Sequence, residues 1–238
     1  MLAYRISRLA DTTSTNTVAL AAGAAGEPEG LVVVADHQTE GRGRLGRAWV
    51  APAGSALLVS VLLRPPRESA HLTVSAVACA AAAACERVAG VSPALKWPND
   101  LVAADRKLGG ILAETAGNMT SLAVGLGLNV HPPPDRPAEI AALAVDLDAL
   151  AGQRVHRSEI LDALLVELAL RYDRLGSVLE EYRSRCSTIG LRVRVTQARG
   201  DVVGLAVGIG DDGSLLVETG SGATVAVSAG DVEHVRPA

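Results

Sequence analysis

With 238 residues, 49% of them apolar and 20% charged, the chain can bury one sizeable core and is not a disordered segment. Phe is absent and aromatics amount to 2%, so Ala, Val and Leu must build that core. A formal charge of −4 argues against bulk nucleic-acid binding but leaves room for a local basic site.

Three cysteines, Cys79, Cys85 and Cys186, have no metal-ligand spacing and read as reduced and buried. The opening MLAYRISRLADTTSTN has no apolar h-region, and polar residues interrupt every long apolar run. The expectation is a cytoplasmic protein without a membrane span.

After DTTSTN, a segment rich in cap residues, TVALAAGAAG predicts a short Ala-rich helix. GLVVVADHQ is a β-branched run expected to form a buried strand ending at His37 and Gln38. A glycine–arginine loop follows, and then SALLVSVLLRP predicts a second strand closed by Pro65 and Pro66. HLTVSAVACAAAAACERVAG has helix-forming composition and a glycine stop. PALKWPNDLVAADRKLGGILAET predicts two extended segments joined by a turn near AADRK, and TSLAVGLGLNV predicts a further strand. HPPPDRP opens a loop expected to be mobile. From Ser158, read as an N-cap, a long helical region places Ile160, Leu161, Leu164, Leu165 and Leu168 on one face. Beyond Gly190, LRVRVT, GDVVGLAVGIG, GSLLVET and TVAVS are short strands between ARGD, DDG and GSG turns, suggesting a small β-barrel.

The loop GRGRLGR (Gly41–Arg47) fits G-x-G-x-x-G, but its usual meanings fail in context. A dinucleotide-binding turn needs a helix straight after the glycines, whereas RAWVAPAGSALLV carries Pro52 and Gly54 into a strand. Kinase elements and a P-loop are missing from the chain. What remains is a flexible loop with Arg42, Arg44 and Arg47, suited to phosphate or carboxylate, or else a solvated turn. Three arginines in a glycine-bearing loop should repel one another, so the loop is expected to stand open until an anion arrives.

A second cluster bears on that choice. KWPND ends at Asp100, seven residues before Lys107 in RKLGGIL. One carboxylate beside Lys96, Asn99 and Lys107 suits a magnesium-bound polyphosphate next to a carboxylate substrate, with Trp97 as an apolar wall and Gly109 and Gly110 leaving room. A salt-bridged hairpin is the plainer alternative, but it does not account for both charged, glycine-bearing loops together.

STN (Ser14–Asn16), DHQTEGRGRLGRAW (Asp36–Trp49), KWPND, RKLGGIL (Arg106–Leu112) and GLGLNV (Gly125–Val130) together resemble, in order and spacing, the biotin protein ligase family. The resemblance implies an α+β fold. A mixed β-sheet flanked by helices, of the biotin/lipoate ligase kind, would span residues 1–188, and an SH3-like β-barrel residues 189–238. It also implies ATP-dependent attachment of biotin, through biotinyl-5′-AMP, to one lysine of a biotin carboxyl carrier domain. Because the chain begins almost directly at the ligase motifs, the monofunctional type without a DNA-binding domain is expected, with no DNA partner; a homodimer is compatible.

By the same resemblance, Ser14, Thr15, Asn16 and Gln38 hold the ring end of biotin, whose ureido group needs donors and acceptors. Gly41, Arg42, Gly43 and Arg44 cover the acyl chain and adenylate, supported by Trp49, with Gly110 at the biotin site. Arg44, Arg47, Lys96, Asn99, Asp100, Lys107 and Asn129 face ATP. Lys107 is the leading catalytic residue, joined by Arg44 and Asp100. The metal ligands are unknown, with Asp100 a candidate through water for Mg2+. Gly125, Gly127 and Asn129 resemble the nucleotide-facing strand end. The chain departs from the family at Leu45, where an Arg is frequent, and by lacking an aromatic after GLNV, which leaves adenine unassigned. His37, His131, Tyr172 and Tyr182 read as structural. A lipoate or octanoate ligase is the alternative enzyme, and a ligand-sensing nucleic-acid-binding regulator the alternative of another class.

Overall fold

The computed structural model describes residues 2–115, 121–133, 135–197 and 200–234. The β-branched run β2 (Leu31–Gln38) and the apolar run β3 (Ala56–Leu63) lie antiparallel. Every residue of β3 is buried, because helices cover both faces of the sheet there. The other strands of this sheet are β1 (Arg5–Thr12), β4 (Ala94–Lys96), β5 (Asp100–Ala103), β6 (Arg106–Thr115) and β7 (Leu122–Asn129). The seven strands run in the order β1-β2-β3-β7-β6-β5-β4, with β1 and β2 parallel and the other pairs antiparallel. Strand β1 was not evident in the sequence. It is a largely exposed edge whose pattern RISRLADT carries little apolar signal, and pairing with β2 defines it.

Helix α1 (Thr15–Ala24) packs Ala19 against Val33, Leu62 and Ala123 on one face. On the other face lies α2 (Thr73–Ala89), stopped as expected by Gly90 at φ 65°. Its alanines lie in the central core, where small side chains let helix and sheet approach closely. Arg67–Ala89 is long and apolar enough to cross a membrane by length and composition, but it is mostly buried inside this fold.

Helix α5 (Arg157–Tyr172) packs on α2 and buries Ile160, Leu161, Leu164, Leu165 and Leu168, as the periodicity predicts. Its start differs from expectation: His156, not Ser158, is the N-cap residue, because Asp148 Oδ1 holds the Val155 N–H and Arg157 already reaches Asp36 and the Ala56 carbonyl. The helical region also breaks at Leu175–Ser177 before α6 (Val178–Arg185). Two short helices, α3 (Ala138–Leu143) and α4 (Leu147–Ala151), occupy the segment after HPPPDRP. Thr120 of TSLAVGLGLNV, Pro134 of HPPPDRP and Ala198 and Arg199 of ARGD lie outside the described residues.

The C-terminal strands are β8 (Arg192–Thr196), β9 (Val202–Ile209), β10 (Leu215–Thr219), β11 (Thr224–Val227) and β12 (Asp231–His234), the last too short and polar to be read from sequence. They form an antiparallel sheet ordered β11-β10-β9-β8-β12. Among the described residues β11 and β12 each pair on one side only, so the expected barrel is not closed. This sheet docks on the first through Trp97, whose Nε1–H donates to the Gly213 carbonyl at 3.0 Å.

The segment expected to be one strand before AADRK is two, β4 and β5, which pair Lys96 with Asp100 across a turn at Trp97–Asn99. The next turn, Ala104–Asp105, is a two-residue hairpin with both residues at positive φ (48° and 56°). Left-handed non-glycine residues cost ~1–2 kcal/mol each. Ala104→Asn combined with Asp105→Gly should therefore stabilise the protein by about 1 kcal/mol after the entropy of the new glycine is deducted. A urea unfolding midpoint that fails to rise would refute the assignment of strain to this turn.

Candidate functional site

Four elements meet at one pocket: the start of α1, the end of β2, the glycine–arginine loop, and the β4–β5–β6 hairpins. Thr15 donates to Gln38 Oε1 from its N–H at 2.8 Å and from its hydroxyl at 3.0 Å. Beneath them Ser60, the one polar residue in β3, has its hydroxyl 2.7 Å from both Thr15 Oγ1 and Asn16 Oδ1. Asn16 gives its amide hydrogens to the Leu112 carbonyl at 3.0 Å and to Glu114 at 2.8 Å. These side chains hold one another in a connected, buried network. Among the described residues no acceptor takes the Gln38 Nε2 hydrogens, which together with Ser14 give the pocket a polar end. Ser14 is the N-cap residue of α1 but makes no side-chain cap bond. Sequence reading missed Ser60 and Glu114; a lone hydroxyl in an otherwise apolar strand was the available signal for the first.

The loop does not stand open as the repulsion among its arginines suggested, because each guanidinium has a protein acceptor. Arg42 binds Glu114 at 2.9 and 3.1 Å and the Thr17 hydroxyl at 3.0 Å. Burial pushes the Glu114 carboxyl up, but the hydrogen bonds from Arg42 and Asn16 outweigh it and hold its pKa below the ordinary value. Arg44 donates to Asn99 Oδ1 at 3.4 Å and to the Gly230 carbonyl at 3.3 Å. Burial lowers its pKa, opposed by Asp231 and Asp100, yet a guanidinium stays charged. Arg47, expected to meet phosphate, is ion-paired with Asp231 of β12, and that hydrogen bond raises its pKa. A second cleft, toward Asp212 and Gly213, shares Arg42, Gly43, Arg44, Leu45 and Arg47, so the loop is the wall between the two.

Lys107 and Asp100, brought together by β5 and β6, form an ion pair of 2.7 Å. The Lys107 ammonium lies 5.7 Å from the centre of the Trp49 ring. Asn99 locks the turn by donating to the Ile111 carbonyl at 2.7 Å. Lys96 lines the pocket beside them. Trp97 lines the pocket as the expected apolar wall, with most of its side chain buried between the core and the C-terminal sheet. Trp49 is a second wall, and among the described residues its buried Nε1–H has no acceptor. Asn129 is not brought into the pocket lining; its amide donates to the Val145 carbonyl at 3.2 Å and the Lys107 carbonyl at 3.4 Å. Gly41 also stands behind the lining, against the Trp49 backbone. His37 pairs with Asp11 and His131 with Asp148, both outside the pocket, while Tyr172 bonds Glu29 and Tyr182 is buried.

No group of three or more His, Cys, Asp or Glu suited to a metal occurs among the described residues. The carboxylates of the pocket are Asp100 and Asp231, a donor set that fits an ion arriving with phosphates better than a resident metal.

Two glycines of β7 are explained by this geometry. A Cβ at Gly125 would fall 2.7 Å from Asn16 Oδ1, and one at Gly127 would fall 2.7 Å from Trp49 Cζ2 and 2.8 Å from its Nε1. Gly127→Ala should displace the indole and destabilise the protein by ~1–3 kcal/mol, the usual cost of overpacking. With only two tryptophans in the chain, a changed emission spectrum reports the displacement. Unchanged emission together with unchanged stability would show that the indole is not wedged there.

Comparisons with known proteins place both parts of the chain. Residues 9–131 match the Biotin/lipoate A/B protein ligase family, and residues 188–235 the Biotin protein ligase C terminal domain. The chain is 41% identical to a biotin–[acetyl-CoA-carboxylase] ligase of Mycobacterium tuberculosis, over 96% of this chain and 88% of that one. It is 31% identical to a ligase of the same name from Paracoccus denitrificans, over 91% and 95%. The fold matches biotin protein ligase from Aquifex aeolicus in complex with biotin and ATP with a TM-score of 0.84 at 26% identity, covering 98% of this chain and 99% of that one. With both parts of the chain matched and its quoted motifs converging on one cationic pocket, the protein belongs to the biotin protein ligase family.

Proposed function

We propose that the protein joins biotin to ATP and passes the biotinyl group to a lysine of a biotin carboxyl carrier domain, acting in the cytoplasm. The observation that supports this reading is that Lys107, paired with Asp100 at 2.7 Å, lines one pocket together with Ser14, Thr15, Gln38 and the loop arginines. Two anions, a carboxylate and a polyphosphate, must approach each other there, and a preorganised cation between them lowers the barrier.

Biotin enters with its ureido group at Ser14, Thr15 and Gln38, where free Gln38 amide hydrogens and hydroxyl oxygens meet its carbonyl and N–H groups. Trp49 lines its apolar part. The carboxylate oxygen attacks the α-phosphorus of ATP; a P–O bond forms, the α–β bridging P–O bond breaks, and pyrophosphate leaves. Lys107 neutralises charge at the point of attack, while Lys96 and Arg44 serve the phosphates. Asp100 and Asp231 would hold, through water, a magnesium ion arriving with the nucleotide, which would supply positive charge to the phosphates.

In the second step the carrier amine attacks the acyl carbon, the C–O bond to AMP breaks, and the amine proton must leave. A lysine amine has a reference pKa of ~10.4 and is protonated at neutral pH, so the Asp100 carboxylate is the base at hand. Asn129 contributes indirectly, by holding the backbone carbonyl of Lys107. Three free, buried cysteines suit a reducing compartment.

Incubation with biotin, ATP, magnesium and a carrier domain should add one biotinyl mass to the carrier in mass spectrometry; an unmodified carrier sinks this reading. Lys107→Ala should slow adenylation ~10² to 10³-fold, as loss of one preorganised donor does. Pyrophosphate exchange at the parent rate in that variant would reject Lys107 as the catalytic cation. Asp100→Asn should slow both half-reactions; slowing of transfer from preformed biotinyl-AMP alone would remove the metal role and leave the base.

A further inference from the structure

The tip of the glycine–arginine loop buries no apolar side chain. Leu45 is 70% exposed, and both Leu45 and Gly46 adopt positive φ. Within the loop only short backbone bonds act, such as Gly43 N–H to the Arg47 carbonyl at 2.7 Å. Its anchorage to the rest of the protein is therefore polar. Arg42 ties the start of the loop to β6, and the tip is tied almost wholly to the C-terminal sheet. There Arg47 sets both guanidinium Nη atoms on the Asp231 carboxylate, and the adjacent Gly230 carbonyl accepts from Arg44 at 3.3 Å. Asp231 itself is fixed by the pairing of β12 with β8, in register with Thr196.

From this geometry we infer that Asp231 is a positioning residue: it latches the loop across the pocket and so governs how long the acyl-adenylate stays enclosed. The inference rests on the activity proposed above and extends it, because a residue of the second sheet then controls an intermediate made on the first. A mixed anhydride released early acylates stray amines or is hydrolysed, so holding the wall in place protects the product of the first step. The pair is partly solvated, with side-chain exposures of 65% for Arg47 and 35% for Asp231, so its contribution is modest and the latch can open for the carrier.

The first measurement uses the protein without ligands. Limited trypsin cleavage after Arg44 and Arg47 should be about two- to fivefold faster in Asp231→Asn than in the parent, the range a partly solvated ion pair supports. Escape of biotinyl-AMP, formed in the enzyme and chased with excess biotin and ATP, should quicken by a similar factor. Asp231→Glu should restore most of the retention, and the exchanged pair Arg47→Asp with Asp231→Arg should recover it in part. If Asp231→Asn is poorly folded by its melting temperature, Arg47→Gln breaks the same pair from the loop side. The single and double variants should then share one release rate instead of adding their effects. Parent-like cleavage and release in these variants, or additive effects of the two changes, would overturn the latch. Failure of the parent to form biotinyl-AMP would overturn the proposed activity alone, since the ligand-free cleavage assay still reports on the loop.

Discussion

Cations are crowded over one end of the seven-stranded sheet, and the surrounding structure is arranged to tolerate them. Arg42, Arg44, Arg47 and Lys107 line a single pocket, where like charges in a low dielectric repel strongly. Each is met by an acceptor from a different element: Glu114 on β6, Asn99 in the β4–β5 turn, Asp231 on β12 and Asp100 on β5. The protein can therefore hold its anion-binding groups in place with its own oxygens. A ligand phosphate or carboxylate then enters a site that is still net cationic and competes for, or shares, donors already held in place. Such preorganisation is what electrostatic catalysis requires.

Small residues make the crowding feasible. Without Phe, the chain relies on the alanines of α2 to bring helix and sheet together, and on Gly125 and Gly127 to admit Asn16 and Trp49 against β7. The same economy of volume lets Trp49 stand beside Trp97 in the pocket wall. Trp97 is committed to the seam between the two sheets through Gly213, and its backbone N–H to the Thr188 hydroxyl at 3.0 Å. The KWPND turn thus has two jobs: all five residues line the pocket, and Trp97 also joins the sheets. The C-terminal sheet is consequently part of the site's architecture, contributing Gly230 and Asp231 to the loop.

Local sequence was enough for the elements whose signal is local. The runs LVVVADHQ and ALLVSVLL, the Ala-rich α2 with its Gly90 stop, and the apolar face of α5 could be read directly, because burial on both faces or at helical spacing leaves a periodic imprint. The motifs carrying Thr15, Gln38, Arg44, Asp100 and Lys107 were also recognisable by residue type and order. Edge strands such as β1 and β12 left little imprint, since exposed strands need few apolar residues and are defined by their neighbours' hydrogen bonds.

Partnership was decided by tertiary structure alone. Nothing local to Arg47 announces Asp231, 184 residues away, and nothing near Arg42 announces Glu114. Reading the loop in isolation left three positive charges without counter-charges and hence an open loop. The folded chain supplies the counter-charges from strands that are neighbours only in space. Asn129 shows the converse, as a motif residue whose side chain turns to the carbonyls of Lys107 and Val145 instead of the pocket. The sequence by itself determined which chemical groups are present and which segments become strands and helices, because those depend on composition and short periods. Which charge meets which was settled only when the two sheets packed, because Coulomb and hydrogen-bond energies depend on distances of a few ångströms that chain order does not encode.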